Sequence, residues 1–204
     1  MHLIAAEILG FWFETTNVFS DITRRDVWFK STPSFDHAVK TNFENTHEKA
    51  AAGEYNNFMR NPEEALALII ALDQFPRNLY RGSAKAFQTD HLACSFSHEA
   101  LANGYDLGLG LEPKKFLYLP LVHSENLSDQ IFAVEKYKKL NDEKSLTSAV
   151  GHHDAIKNFG RFPHRNKILG RKNTKEETEY LKSPPTWGMT KAEAAELEKQ
   201  LGKS

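Results

Sequence analysis

Three histidines and a glutamate in the second half of the chain have side chains suited to proton transfer. His123 and Glu125 stand at the start of a predicted helix. His152 lies on one face of a later helix, and His164 follows the end of that helix. Because histidine beside a carboxylate serves as a general acid or base near neutral pH, we predict that these four residues are catalytic. His123 or His152 transfers the proton in this hypothesis, and Glu125 fixes the histidine tautomer.

A concentrated positive charge surrounds His164. The segment 151–171 carries five basic residues and one acidic residue, a net charge of +4 in a chain whose formal net charge is -1. Planar guanidinium groups near a helix end suit a phosphate or carboxylate group. The sequence therefore predicts a small anionic ligand bound by five arginines: Arg77, Arg81, Arg161, Arg165 and Arg171.

Ion pairing between helices is an equally good interpretation of these arginines. Asp90 falls on an apolar stripe between Phe87 and Leu101, so its carboxylate is predicted to face the core. A buried acid requires a partner, and an arginine is the natural one. Such a pair is either structural or orients an arginine toward a ligand. We assign a supporting role to four residues: Asp73, Asn78, Asp90 and Asn166.

Metal binding is an alternative for the same histidines and Glu125, because both residue types bind zinc or iron. Their spacing matches no compact motif such as H-E-x-x-H, so we predict neither a metal nor another cofactor. Ser124 is interpreted as a helix N-cap rather than a nucleophile.

The composition indicates one globular domain. With 204 residues, 40% hydrophobic and 26% charged, the chain is neither collagen-like nor a coiled-coil rod nor a disordered tail. Near-neutral charge argues against nucleic acid or an anionic membrane as a partner. The single cysteine, Cys94, requires no oxidising compartment, and we expect a cytoplasmic protein. The apolar stretch from Leu3 to Phe13 contains Glu7 and is too short to span a membrane.

Capping signals and helical periodicity predict helices throughout. Asn61-Pro62 followed by two acidic residues marks one helix start, and the eight apolar residues 65–72 indicate that this helix is covered on all sides. We therefore expect a central helix from about Pro62 to Leu79. A further helix is predicted over 84–103. The stretch 116–122 is compatible with a strand, but we interpret it as a helix because no partner strand is evident.

The chain is predicted to divide into a helical domain, residues 1–182, and a C-terminal extension, residues 183–204, that contains a short helix. Pro184-Pro185 opens the extension, and the helix from Lys191 to Gln200 offers little apolar surface. Truncation after Lys182 is therefore expected to leave the domain folded.

Three polar and aromatic strings occur in order along the chain: residues 72–78 (LDQFPRN), 117–120 (LYLP) followed by His123, and 159–166 (FGRFPHRN). With these strings the chain resembles the DUF924 family over about residues 8–182. The resemblance implies an all-α fold similar to tetratricopeptide-repeat proteins, an antiparallel helical bundle. It implies no established reaction. Residues 75–78 and 162–166 also resemble each other, over too few residues to establish a duplication.

Two classes of function remain. The first is an enzyme or small-molecule binder whose pocket collects the polar strings. The second is a helical scaffold that binds a peptide or protein partner, an interpretation based on fold analogy. A pocket lined by histidine and arginine would favour the first, whereas exposed aromatic and methionine residues on a concave face would favour the second.

Overall fold

The computed structural model describes residues 1–202, and within them the fold is all-α with no β-strand. Four short 3₁₀ helices, among them Ala84–Phe87 and Pro163–Arg165, connect the α-helices in this part of the chain. The α-helices are α1 (Leu3–Phe13), α2 (Pro33–Ala51), α3 (Pro62–Asp73), α4 (Phe75–Leu79), α5 (Asp90–Ala102), α6 (Leu111–His123), α7 (Leu127–Lys138), α8 (Glu143–Phe159), α9 (Lys175–Tyr180) and α10 (Lys191–Gln200).

Helix α3 is the centre of the fold, as the sequence predicted. The Asn61 side chain accepts a hydrogen bond from the Glu64 backbone at 3.0 Å, and Pro62 occupies the first turn. Every residue from 65 to 73 is buried, and α3 packs against α1, α2, α5 and α6. The apolar residues of α3 occupy every face of the helix, and the neighbouring helices bury all of these faces.

The single helix expected from Pro62 to Leu79 is divided at Gln74, which corrects the predicted boundary. Pro76 has no backbone N–H, so it cannot donate to the Leu72 carbonyl four residues earlier. The Thr89 hydroxyl donates to that carbonyl instead, at 2.6 Å. The helix predicted over 84–103 is likewise divided, because Thr89 lies in the gap between a 3₁₀ turn and α5.

The break after α3 changes the chain direction between Asp73 and Arg77. The Arg77 guanidinium donates to the Asp73 backbone carbonyl, and its Nη1 lies 3.3 Å from Asp73 Oδ1. The break thus holds an acidic and a basic side chain together at the end of the buried helix.

Other signals agree with the structure. The ambiguous stretch 116–122 lies within α6, which continues through Pro120. Gly160 ends α8 with φ 68°, a left-handed conformation that glycine adopts without strain. Thr174 and Thr190 form capping boxes at the starts of α9 and α10.

The C-terminal extension packs on the helices. Lys191 donates its backbone N–H to the Ser31 carbonyl at 3.0 Å, and Trp187 contacts a small cluster that contains Ile156 and Phe162. The division at residue 182 stays a prediction. None of the helices in residues 1–202 is long and apolar enough to cross a membrane.

Candidate functional site

A groove of about 640 Å³ opens beside the break between α3 and α4. Its walls come from the turn before α5, the end of α6 and the 163–169 segment. They carry charged side chains of both signs as well as apolar side chains. The residues that line it are Ala84, Lys85, Phe87, Gln88, Asp90, His91, His123, Ser124, Glu125, Arg165 and Leu169.

His123, the last residue of α6, is held by Asp73 from the end of α3. The His123 Nδ1 atom lies 2.8 Å from Asp73 Oδ1 and 3.1 Å from Oδ2. The Asp73 side chain is only 1% exposed, whereas that of His123 is 14% exposed and reaches the groove. Gln74 donates a further hydrogen bond to Asp73 Oδ2 at 2.5 Å. The Asp73 carboxylate therefore fixes the orientation of the His123 imidazole through its Nδ1 atom.

The protonation states of this pair follow from burial and from Arg77. Burial alone would raise the pKa of Asp73, but the Arg77 charge and His123 outweigh it and hold that pKa well below its ordinary value. Burial and Arg77 lower the pKa of His123, although Asp73 opposes them. An ionised Asp73 only accepts hydrogen bonds, so Nδ1 of a neutral His123 carries the proton. Nε2 then has a free lone pair, and it forms no hydrogen bond within residues 1–202.

Asp90 joins the two arginines of the site. Arg77 forms a bidentate ion pair with Asp90, donating from Nη1 to Oδ1 at 3.0 Å and from Nη2 to Oδ2 at 3.1 Å. Arg165 Nη1 donates to the same Oδ2 at 3.1 Å. The expectation that Asp90 is paired with an arginine is thus met by two of them. We call Asp73, Arg77, Asp90, His123 and Arg165 the groove cluster.

Arg165 is the most enclosed cation of the groove cluster. Its guanidinium lies over the rings of Phe87 and Phe162, at 4.4 and 4.6 Å from their centroids. Nη2 donates to the His123 carbonyl at 3.1 Å, but the buried Nε has no partner within the described chain. Burial lowers the pKa of Arg165 to about 10, with Asp90 opposing the shift, so the side chain stays charged at neutral pH.

His152 and His164 lie next to the groove cluster. The ring centroids of His123 and His152 are 6.2 Å apart, and His152 Nδ1 donates to the Ser148 carbonyl at 2.8 Å. Burial lowers the pKa of His152 well below its ordinary value. Burial, followed by the Arg165 charge, lowers the pKa of His164 to about 3. Both rings are neutral at physiological pH, which suits a proton acceptor better than a proton donor.

Trp187 of the C-terminal extension covers these two histidines. Its ring stacks on His152 with centroids 3.6 Å apart, and its centroid lies 5.5 Å from that of His164. Gly151 makes room for the indole, because a Cβ atom there would lie 3.2 Å from Trp187. Trp187 was not among the predicted site residues, since the sequence gives no spacing signal that connects the extension to His152.

Arg161 and Arg171 form a separate network with two glutamates. Arg171 forms a bidentate ion pair with Glu125, with Nη1–Oε2 at 2.7 Å and Nη2–Oε1 at 3.0 Å. Arg161 forms the same kind of pair with Glu177, with Nε–Oε1 at 2.6 Å and Nη2–Oε2 at 2.8 Å. Asn166 connects the two pairs by accepting from Arg171 at 2.8 Å and donating to Glu177 at 3.2 Å. We call these five residues the brace, because they tie the loop after α8 to the start of α7 and to α9.

Arg81 and Asn78 have structural partners outside the groove. Arg81 binds Asp36 through Nε at 2.7 Å and Nη2 at 3.0 Å, and it donates to the Gly188 carbonyl. Asn78 donates to Asp36 at 2.7 Å. These contacts tie α4 to α2 and to the C-terminal extension.

The predicted site residues thus separate into two groups. His123, His152, His164, Arg77 and Arg165 come together, as do the supporting residues Asp73 and Asp90. Of this first group, His123, Asp90 and Arg165 line the groove. Arg81, Arg161 and Arg171 form the second group, with structural partners outside the groove cluster, and Glu125 lines the groove but pairs with Arg171.

The prediction that Glu125 fixes the tautomer of His123 is wrong, although Glu125 does line the groove. Glu125 binds Arg171 and accepts a hydrogen bond from the Phe162 backbone at 2.8 Å. Asp73 holds the His123 tautomer in its place. Proximity in sequence favoured Glu125, whereas the break after α3 brings Asp73 to the ring from 50 residues away. Lys85 and His91 also line the groove and carried no motif that pointed to them.

Fold and site together define an all-α protein with a histidine-bearing groove at the end of its central helix, lined by two cations and two carboxylates. The chain belongs to the DUF924 family of bacterial proteins of unknown function, whose family model matches residues 8–185. It is similar to the solved structure of a protein of unknown function from Agrobacterium tumefaciens, at 37% sequence identity and a TM-score of 0.81. That similarity covers 89% of this chain and 98% of the other. No curated protein matches the chain by sequence.

Proposed function

We propose that the groove binds a small molecule bearing a phosphate or carboxylate group, and that His123 acts on it as a general base. One observation carries the proposal: His123, whose Nε2 forms no hydrogen bond within residues 1–202, lines the same groove as Lys85 and Arg165. A base and two cations on one concave surface are the parts that proton transfer on an anionic substrate requires.

The groove cations have capacity for a ligand. Arg165 has an unpartnered buried Nε, and buried donors without partners are rare in folded proteins. Lys85 forms no ion pair within residues 1–202, and its ammonium group lies 5.6 Å from the centroid of the Tyr80 ring. An anionic oxygen between these two side chains would satisfy both.

Asp73 supports the basic function of His123. When Nε2 takes up a proton, the ring becomes a cation that the ionised Asp73 stabilises at 2.8 Å. The same carboxylate prevents the ring from rotating, so Nε2 stays directed at the groove. This is the role that a buried aspartate has in hydrolase triads. Ser124 is no nucleophile for His123 in this arrangement, because its hydroxyl donates to Asp129 at 2.6 Å.

Inorganic phosphate is the probe for anion binding, measured as a rise in melting temperature at low salt. We expect stabilisation of the wild-type chain that weakens in Lys85→Gln and Arg165→Gln and at high salt. Arg161→Gln is the matched control, because it removes a cation outside the groove. Equal phosphate effects in Lys85→Gln, Arg161→Gln and wild type would place the anion elsewhere and leave a tetratricopeptide-like scaffold for a protein partner as the better function.

Diethyl pyrocarbonate, which modifies unprotonated imidazole nitrogens, tests the base independently of any substrate. We expect modification of His123 with a pH midpoint below the ordinary histidine value, and protection of His123 by phosphate. The exposed His37 serves as the control, since phosphate should not change its modification rate. An unreactive His123 would contradict the proposed base.

A further inference from the structure

A second group of chemically competent side chains lies between α5 and α7, apart from the groove. Cys94 and His98 are four residues apart on α5, so they share one helix face. Asp129, in the first turn of α7, faces them: His98 Nε2 lies 2.8 Å from Asp129 Oδ1, and Cys94 Sγ lies 3.4 Å from Asp129 Oδ2. One ligand atom from each residue lies within 4.8 Å of the others.

We infer that Cys94, His98 and Asp129 bind a divalent transition-metal ion of the zinc class. Thiolate, imidazole and carboxylate are the three ligand types that zinc takes in proteins, and an i, i+4 pair on one helix presents two ligands to one ion. The inference is independent of the function proposed for the groove. It departs from the sequence prediction of a metal-free protein, which considered only His123, Glu125, His152 and His164.

The geometry is close to what a tetrahedral ion needs. Neighbouring ligand atoms around zinc are about 3.3 to 3.6 Å apart, given bonds of 2.0 to 2.3 Å. The 3.4 Å separation between Cys94 and Asp129 already fits, the 2.8 Å separation between His98 and Asp129 needs to grow by about half an ångström, and all three ligand atoms lie within 4.8 Å of one another. The metal takes the place of the thiol proton, since only the thiolate is a ligand.

Two neighbours hold these ligands in place. Ser124 donates to Asp129 Oδ2 at 2.6 Å, the kind of outer hydrogen bond that orients a metal-binding carboxylate. The His98 ring stacks parallel to Phe132, with centroids 5.8 Å apart and an interplanar angle of 3°. The His98 side chain is 45% exposed, so the fourth coordination position opens to solvent. Three protein ligands with one open position are typical of catalytic zinc.

Cobalt(II) is the probe, because a cobalt–thiolate bond gives a charge-transfer band in the near ultraviolet. Cys94 is the only cysteine of the chain, so the band of the tag-free protein reports on this residue alone. We expect one Co²⁺ per chain, with the band removed when Zn²⁺ is added, since zinc binds such sites more tightly.

Variants of the ligands make the test specific. Cys94→Ser should abolish the band, and His98→Ala and Asp129→Asn should weaken Co²⁺ binding at least about tenfold, the loss that even an outer-shell change produces. His37→Ala is the control, an exposed histidine on α2 that lies outside both the metal cluster and the groove, and it should leave Co²⁺ binding unchanged. The folding of Asp129→Asn is checked by circular dichroism, whereas His98 is exposed enough that its loss should not affect folding. Absence of the band in wild type, or equal affinity in His98→Ala, would overturn the inference.

Discussion

The groove cluster and the brace are built from the same parts, two arginines and two carboxylates each, yet they differ in how the charges are shared. In the brace every guanidinium has its own carboxylate, Arg161 with Glu177 and Arg171 with Glu125. In the groove cluster Asp90 pairs with both Arg77 and Arg165. The second carboxylate, that of Asp73, also binds His123. The proposed ligand site and the structural network therefore contain equal numbers of arginines and differ in how many arginines share one carboxylate.

The two arginines that share Asp90 come from the two similar sequence strings. Arg77 follows Phe75-Pro76, and Arg165 follows Phe162-Pro163 with one residue inserted. In each string the proline stands at the start of a short helical turn, and the arginine in that turn reaches the same carboxylate. The resemblance between the strings thus has a structural counterpart at the site.

Asp90→Asn tests the comparison with the largest expected effect. It removes the carboxylate shared by Arg77 and Arg165, and loss of one partner of a largely buried ion pair costs about 3 to 5 kcal/mol. Phosphate should restore part of this stability, because Arg165 then has no carboxylate partner and Arg77 keeps only Asp73. We therefore expect a low melting temperature for Asp90→Asn and a larger phosphate-induced rise than in wild type, measured by thermal unfolding.

Glu177→Gln is the corresponding change in the brace. It weakens the partner of Arg161 and Asn166 and should also lower the melting temperature. Phosphate should not rescue it beyond the wild-type effect, because the brace arginines do not line the groove. Equal rescue of both variants would show that the two regions do not differ in the way proposed.

Much of the fold could be predicted from the sequence because its signals are local. The Asn61-Pro62 start, the apolar run of α3 and the Gly160 stop each act within a few residues. The break at Gln74 was missed because a proline is compatible with either a kink or an end. The carbonyl freed by Pro76 is satisfied by Thr89, whose approach depends on tertiary structure.

The site was predicted in composition but not in its pairing. His123, His164 and Arg165 stand beside helix ends, and His152 lies on one face of a predicted helix, which made them recognisable. Partner choice depends on which helices face each other, so no local pattern distinguishes Asp73 from Glu125 as the partner of His123. For the same reason the arginines of the brace and of the groove cluster look alike in sequence.

A smaller loss of folding stability is expected on acidification, through protonation of His164. The folded pKa of about 3 lies below the unfolded value of about 6.5, so the unfolded chain takes up the proton first as the pH falls. The stabilising contribution is complete above about pH 6.5 and is lost progressively toward pH 3. At pH 5 the difference of about 1.5 pH units corresponds to a loss of about 2 kcal/mol.

Urea denaturation near neutral pH and near pH 5 measures this loss. The wild type should lose more stability on acidification than His164→Gln, because the variant has no imidazole to protonate. His37→Gln, an exposed control, should lose as much as the wild type. The lowered pKa of His152 acts in the same direction and remains in all three proteins. Equal losses in wild type and His164→Gln would show that His164 is not held neutral by the fold.

The smallest effect is expected from removal of the C-terminal extension after Lys182. The extension contributes a half-buried Trp187 and a single buried side chain of α10, Ala194, so its loss should cost about 1 to 2 kcal/mol. For a chain of this size that lowers the melting temperature by a few degrees, well short of 10 °C.

Trp187→Ala in the full chain should reproduce most of the decrease in melting temperature. Both variants should expose His152 to diethyl pyrocarbonate, while the groove keeps its phosphate response. A truncated chain that fails to fold would show that the extension is part of the domain. Loss of the phosphate response in a truncated chain that folds would show that Trp187 belongs to the groove.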